Sequence, residues 1–359
     1  MDLLLVGAGH AHLYVVKHAA ELLAAGYRVT LLSPRTFHYS GVASAAAAGE
    51  LPADTGRIDV AALAGHAGVE HHDGVLADLD LETRTARAGD GTELTYDVIS
   101  LNIGSVVAPP DMTVDDAVLR VKPLSALESL GAHLADPRLR GAARVTVVGG
   151  GSSGVELAAQ LACHPAVSQV RLVEAGRRLT PELPEGAGRR LERLMGKRGV
   201  EVRTGCAITH LGERVARRTD GSELDHDLAI LATGLAAPPL VEELDLGSRN
   251  GIPVRATLLH RAHDDLYAAG DCAHFLPRRL PRVGVHGVRQ GPVLHASLLA
   301  RRAGDPLPTY QPQAKALAVL DLGQGLGLAA RGDRWWLGRS ALWLKRRIDR
   351  RWLARYRTT

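Results

Sequence analysis

Two glycine turns of the same design, one beginning at Gly7 and the other at Gly149, constrain this chain more than any other feature. The first is Leu3-Leu4-Leu5-Val6-Gly7-Ala8-Gly9-His10-Ala11-His12, an apolar strand running into a turn and a helical stretch, with a second apolar run at Val29-Thr30-Leu31-Leu32. The second is Val145-Thr146-Val147-Val148-Gly149-Gly150-Gly151-Ser152-Ser153-Gly154, followed by Val155 to Ala162 and a strand Val170-Arg171-Leu172-Val173-Glu174. Glycine permits the tight turn and lets the backbone approach a pyrophosphate, whose charge then rests against free N–H groups at a helix N-terminus. One such turn is weak evidence. Two in one chain, each between an apolar strand and a helical pattern, predict two nucleotides held face to face. The fold class expected is α/β, with two interleaved Rossmann-like three-layer nucleotide-binding domains and a small C-terminal region carrying an amphipathic helix.

The copies differ in ways that assign their ligands. In the second, Glu174 ends the next strand, where a carboxylate hydrogen-bonds a ribose 2′-hydroxyl and opposes a 2′-phosphate. With Gly149, Gly151, Ser152, Ser153 and Gly154 at the pyrophosphate, this copy reads as an NAD(H) site, NADP(H) being disfavoured. Arg177 and Arg178 stand close enough to accept a phosphate if their loop turns toward it. In the first copy His12 replaces the third glycine and Ser33 the acidic residue. His10 and His12 either stack near the pyrophosphate or cap the helix start.

Composition narrows the class further. A chain of 359 residues with 46% hydrophobic content can build two cores, and with only two Phe these must be packed with Ala, Val and Leu. Net charge is +4. The basic residues Lys345, Arg346, Arg347, Arg350, Arg351, Arg355 and Arg357 crowd the end of the chain against Asp349, so the body is not basic and no nucleic-acid partner is predicted. Cys163, Cys206 and Cys272 form no C-x-x-C or C-x4-C pair, so neither a redox dithiol nor a disulfide framework is expected, and no metal site is predicted. With no secretory leader pattern and no apolar run of membrane-spanning length, a cytoplasmic protein is expected.

Short strands are predicted around Gly74 to Leu81, Thr85 to Ala88 and Thr92 to Ile103, and a crossover from Pro109-Pro110-Asp111 to Pro123. Further strands follow at Glu201 to Arg203, Ala207 to Leu211 and Leu228 to Leu231, ending in Ala232-Thr233-Gly234. Pro238-Pro239 marks a crossover back, and Leu266-Tyr267-Ala268-Ala269-Gly270-Asp271 forms a third strand and turn. One nucleotide domain thus spans 1–108 and 237–305 and is interrupted by the other at 109–236. Residues 306–359 form the C-terminal region.

The double fingerprint, the Ala232-Thr233-Gly234 strand end and the Ala269-Gly270-Asp271 turn resemble the FAD-dependent pyridine nucleotide-disulfide oxidoreductase superfamily in its type II NADH dehydrogenase branch. Gly9-His10-Ala11-His12, Tyr39-Ser40-Gly41, Val288-Arg289-Gln290-Gly291-Pro292 and Asp349-Arg350-Arg351 look like a flavoprotein group sometimes fused to selenophosphate synthetase. The resemblance implies FAD in the discontinuous domain, held by Gly7, Gly9, His10, Ala11, His12, Ser33, Arg35, Gly104, Gly234, Gly270 and Asp271. NADH would pass a hydride to flavin N5, and a second substrate would reoxidise the flavin.

Three catalytic candidates, Glu156, Lys122 and Gln290, follow from that resemblance, and His286 is a fourth by its chemistry. Glu156 matches the Glu that lies by the nicotinamide in relatives, or is a first-turn Glu complementing the helix dipole. Lys122 is either close to the flavin's pyrimidine edge or a surface lysine of the crossover. Gln290 is the last residue of a segment that lines the quinone tunnel in relatives. His286 is a proton donor for a quinone oxygen or an ordinary core histidine. The acceptor implied is a quinone. The alternatives are a sulfide:quinone oxidoreductase with Cys163 and Cys272 flanking the flavin, a reductase of a small redox protein, and a flavoprotein that binds NADH as a sensor.

In the tail, Ala341, Leu344, Ile348 and Trp352 recur at helical spacing among basic residues, with Trp335, Trp336 and Trp343 nearby. This predicts a basic amphipathic helix suited to the anionic inner face of a membrane. Packing on the body, or on a sister subunit in a homodimer, is the alternative.

Overall fold

The computed structural model describes residues 1–109, 111–139 and 142–357; Pro110 of the expected crossover and the last two tail residues lie outside them. A five-stranded parallel sheet forms from Leu266–Ala268, Val98–Leu101, Asp2–Val6, Arg28–Ser33 and Glu70–Asp73, in that spatial order. Leu3, Leu4, Leu5 and Val6 are all buried, as a strand covered by helices on both faces requires. A second parallel sheet has the order Leu119–Arg120, Leu228–Leu231, Ala143–Val148, Val167–Val173, Glu201–Arg203. In each sheet the strand entering the glycine turn sits at the centre.

Each sheet carries an antiparallel meander: Leu76–Asp80, Thr85–Ala88 and Glu93–Thr95 in the first unit, Ile208–Leu211, Val215–Arg218 and Glu223–Asp225 in the second. The run expected as one strand from Thr92 to Ile103 is therefore two. Glu93–Thr95 closes the meander, while Val98–Leu101 enters the parallel sheet beside Asp2–Val6. The two units are linked by an antiparallel ribbon of Val106–Val107 with Leu235–Ala236, and each has its own aliphatic core.

The C-terminal region is a three-stranded sheet, Leu317–Asp321, Gly327–Arg331 and Arg334–Gly338, followed by the helix Arg339–Leu353. Leu320, Leu328 and Ala330 join the core of the second unit, whereas Trp352, Leu353 and Tyr356 join that of the first. The tail thus spans both. Its helix buries Ala341, Leu342, Lys345, Asp349, Trp352 and Leu353, a face offset from the predicted stripe. Trp343 is 57% exposed and Ile348 39% exposed, because the Lys345–Asp349 pair, rather than Leu344 and Ile348, is drawn inward by partners in the body.

Candidate active site

The first glycine turn opens onto a cavity of about 660 Å³ lined by Gly7, Gly9, His10, Arg35, Val75, Gly104, Lys122, Asp271 and Gly287, among others. Gly7 has φ +84°, and a Cβ there would stand 2.7 Å from the Asn102 carbonyl oxygen; at Gly9 it would stand 2.4 Å from the Asn102 side chain. Both glycines are therefore required by Asn102, which follows directly on the strand Val98–Leu101. Its Oδ1 accepts from the N–H groups of Ala11 (3.0 Å) and His12 (3.2 Å), and its Nδ2 donates to the Ala269 carbonyl (2.7 Å). One amide thereby fixes the glycine turn against the late Gly270-Asp271 turn.

Ala11, His12 and Ser33 do not line this cavity. His12 lies beneath the turn, fully buried, with Nδ1 2.6 Å from the Gly7 carbonyl and Nε2 2.8 Å from Ser100 Oγ. Those partners assign the proton to Nδ1, with Ser100 donating to Nε2. The imidazole bridges where the fingerprint normally demands glycine for close packing. Burial holds it neutral, with its pKa lowered to about 4. Ser33 is also fully buried; its hydroxyl donates to the Pro34 carbonyl and meets His71 Nε2 at 3.3 Å.

At the far end of the cavity Lys122 reaches across from the second unit. Its ammonium donates to Ser105 Oγ at 2.9 Å and to Asp271 Oδ2, and Ser105 Oγ donates to the same carboxylate oxygen at 2.9 Å. Burial pushes the Asp271 carboxyl up, but the Lys122 charge and the bonds from Lys122 and Ser105 prevail and hold it below the usual carboxylate range. His10 lines the same space, its ring 5.2 Å from Phe37 and 5.0 Å from Trp352, and burial lowers it to about 4. Gln290 stands behind the wall: its Oε1 accepts from the Gly270 N–H at 2.6 Å, so it supports the turn that presents Asp271. His286 is buried with Nδ1 2.8 Å from the Tyr310 hydroxyl.

Glu156 lies away from the cavity lining, in a buried charged cluster. Its Oε1 accepts from the Asp321 N–H at 2.6 Å; burial raises its pKa to about 7, against the pull of Lys345 and that hydrogen bond. Lys345 donates to the Gly41 carbonyl (2.5 Å) and to Asp349 Oδ2 (3.3 Å), and the Tyr39 hydroxyl donates to Asp349 Oδ1 (3.0 Å). In the sequence Lys345 and Asp349 stand only as members of the charged tail. Their four-residue spacing opposite the exposed arginines was the available signal.

In the second turn, Gly149 has φ +117°, and a Cβ would meet the Ala232 carbonyl at 2.7 Å; at Gly154 it would fall 1.9 Å from the Gly149 carbonyl oxygen. Glu174 sits at the end of its strand as expected, Oε2 accepting from Gly150 N–H and Oε1 from Gly176 N–H, each at 2.6 Å. Arg178 is occupied: its guanidinium donates to the carbonyls of Thr180, Pro181 and Leu183. Gly234, φ +74°, packs on Pro109 at the linking ribbon. Cys163 and Cys272 do not line the cavity; the Cys272 thiol is buried on the Leu101 and Ala269 carbonyls and burial pushes it to about 11.

The sequence profile of the pyridine nucleotide-disulphide oxidoreductase family matches residues 1–291. A type II NADH:quinone oxidoreductase of Haemophilus influenzae is 33% identical over 146 residues, which is 36% of this chain and 33% of that protein. A rubredoxin-NAD(+) reductase of Alcanivorax borkumensis is 34% identical over 199 residues, covering 52% of this chain and 50% of that protein. These matches span half or less of the relatives' length. The structure of NDH2 from Plasmodium falciparum in complex with NADH superposes with a TM-score of 0.83 over 99% of this chain and 97% of that one, at 14% identity, a likeness of fold. With the profile match running through both glycine turns and the Asp271 turn, the chain belongs to the pyridine nucleotide-disulphide oxidoreductase family.

Proposed function

We propose that the protein is an FAD-dependent NADH dehydrogenase that hands electrons to a quinone-like acceptor. The observation that carries this reading is the cavity of about 660 Å³, which begins on one glycine turn and is closed by Lys122, a residue supplied by the unit that holds the other. The cavity fits FAD chemically. Glycines that tolerate no Cβ leave the turn backbone open to a pyrophosphate, Val75 offers an apolar rim, and the Lys122–Asp271–Ser105 cluster offers a cation and hydroxyl partners. Bound there, flavin supplies the two-electron chemistry between nicotinamide and acceptor.

The chain's own residues bind and orient. Asn102 and Gln290 fix the turns on either side of the cavity. Lys122 would supply positive charge to a flavin bound in this cavity, stabilising its reduced form, and its pairing with Asp271 keeps that charge compensated beforehand. Half-buried at the cavity wall and held below the ordinary imidazole value by desolvation, His10 stays neutral near pH 7, so it contributes shape rather than charge. Sulfide:quinone chemistry is disfavoured, because neither Cys163 nor Cys272 lines the cavity and the Cys272 thiol is held protonated.

Three experiments test the reading. Flavin-loaded protein assayed with NADH against ubiquinone, menaquinone, naphthoquinones and a rubredoxin should turn over fastest with a quinone; preference for rubredoxin replaces the acceptor assignment. NADH should exceed NADPH in kcat/KM by at least about tenfold, since Glu174 opposes a 2′-phosphate and Arg178 is already engaged; equal values for the two remove that argument. Peripheral membrane contact would run through the outward Trp343 and Ile348 beside Arg346, Arg347 and Arg350. The double change Trp343→Ser and Ile348→Ser should lower partition onto anionic vesicles by about tenfold, and unchanged partition leaves the helix a packing element alone.

A further inference from the structure

The second glycine turn already holds an anion. The first residue of the helix Ser152–Leu161 donates twice to one carboxylate: Ser152 N–H to Glu182 Oε1 at 2.9 Å and Ser152 Oγ to the same oxygen at 2.6 Å. The residue before it, Gly151, has no side chain with which to cap the helix, so Glu182 supplies that cap from a separate loop. A nucleotide pyrophosphate on this fingerprint has to occupy the same N–H groups. The carboxylate and the pyrophosphate are therefore alternatives.

The loop that carries Glu182 is itself fixed. Thr180 N–H donates to the Gly150 carbonyl at 2.7 Å, and Arg178 binds the carbonyls of Thr180, Pro181 and Leu183. Glu182 itself is exposed. Releasing the helix end thus requires only rotation of the Glu182 side chain into solvent, with no movement of the backbone. The first turn provides an internal comparison. There the position matching Ser152 is His10, and the side-chain acceptor at the helix start is the neutral amide oxygen of Asn102, buried in the fold, which takes the next two N–H groups, those of Ala11 and His12, and carries no charge to repel a phosphate. The site for a resident cofactor is lined by a neutral group, and the site for a nucleotide that must arrive and leave is occupied by an exchangeable anion.

We propose that Glu182 is a built-in competitor for the dinucleotide pyrophosphate, one that weakens NADH binding and speeds release of NAD+ by recapturing the helix end. This rests on the second fingerprint being the NAD(H) site. The test is the equilibrium binding of NADH and of ADP-ribose to FAD-loaded wild type, Glu182→Gln and Glu182→Ala, read by calorimetry, with adenosine as the phosphate-free control. Both variants are expected to lower the Kd of NADH and ADP-ribose by about tenfold, the change that about 1.4 kcal/mol produces, while adenosine binding is unchanged. Stopped-flow displacement of NAD+ from the variants should be slower by a similar factor. Equal or higher Kd values in both variants, or an equal gain for adenosine, overturn the competitor role while leaving the NADH site standing. Failure of all three proteins to bind NADH or ADP-ribose overturns the site and the proposal together.

Discussion

Replacing Gly154 by Ala should abolish NADH-driven bleaching of the flavin while leaving the flavin bound. A Cβ at this position would fall 1.9 Å from the Gly149 carbonyl oxygen, inside the distance that any two such atoms tolerate. The helix Ser152–Leu161 must therefore move off the turn, and the N–H groups that meet the pyrophosphate move with it. The loss expected is at least about a hundredfold in Kd for NADH, about 2.7 kcal/mol. Because the first glycine turn sits on a separate sheet with a separate core, FAD content should match wild type. The check is flavin content from visible absorbance, followed by NADH titration. Normal NADH affinity in this variant would show that the second turn does not carry the dinucleotide.

The second large effect is loss of stability in acid, carried by His12. Its folded pKa of about 4 lies below the ordinary imidazole value of 6.5, so between these values the unfolded chain binds the extra proton. Stability therefore falls as pH drops below 6.5 and stops falling near 4. At pH 5 the deficit from this one residue is about 2 kcal/mol, at 1.36 kcal/mol per unit. Glu156 acts with the opposite sign: its folded pKa of about 7 exceeds 4.5, so acid favours its folded form by an amount comparable to the His12 deficit, and the histidine effect is read from the difference between wild type and a His12 variant. Denaturant unfolding at pH 7.5 and pH 5 separates the two. Wild type should lose about 2 kcal/mol more than His12→Gln on acidification; equal losses contradict a neutral, buried His12.

Much of this was legible in the sequence, and the rest was hidden for identifiable reasons. Gly7, Gly149 and Gly154 are local signals, since each is demanded by backbone atoms a few residues away or at the end of a neighbouring strand, whereas Gly9 is demanded by the Asn102 side chain. Glu174 is legible because strand length fixes where the next carboxylate emerges. Asn102 is not, because its partners Ala11 and Ala269 lie far along the chain on either side, and nothing about an Asn after a strand reveals them. His12 looked like a defect in the fingerprint. Its ring instead bonds the very carbonyl, Gly7, whose counterpart Gly149 excludes a Cβ at Gly154. The tail shows the limit of apolar periodicity: Ala341, Leu344, Ile348 and Trp352 have the right spacing, yet the buried face follows Ala341, Lys345, Asp349 and Trp352, because Tyr39, Gly41 and Glu156 provide polar partners for the charged pair. Glu182 left no sequence trace, as an acidic residue in an exposed loop has no pattern.

The central claim is that one polypeptide holds flavin and nicotinamide so that electrons pass between them, and an anaerobic NADH titration of the purified protein tests it most directly. The account predicts a yellow protein with stoichiometric FAD that is bleached by an equivalent of NADH and recoloured when quinone is added. A colourless protein that takes up no FAD, or a bound flavin that NADH leaves oxidised, would contradict it.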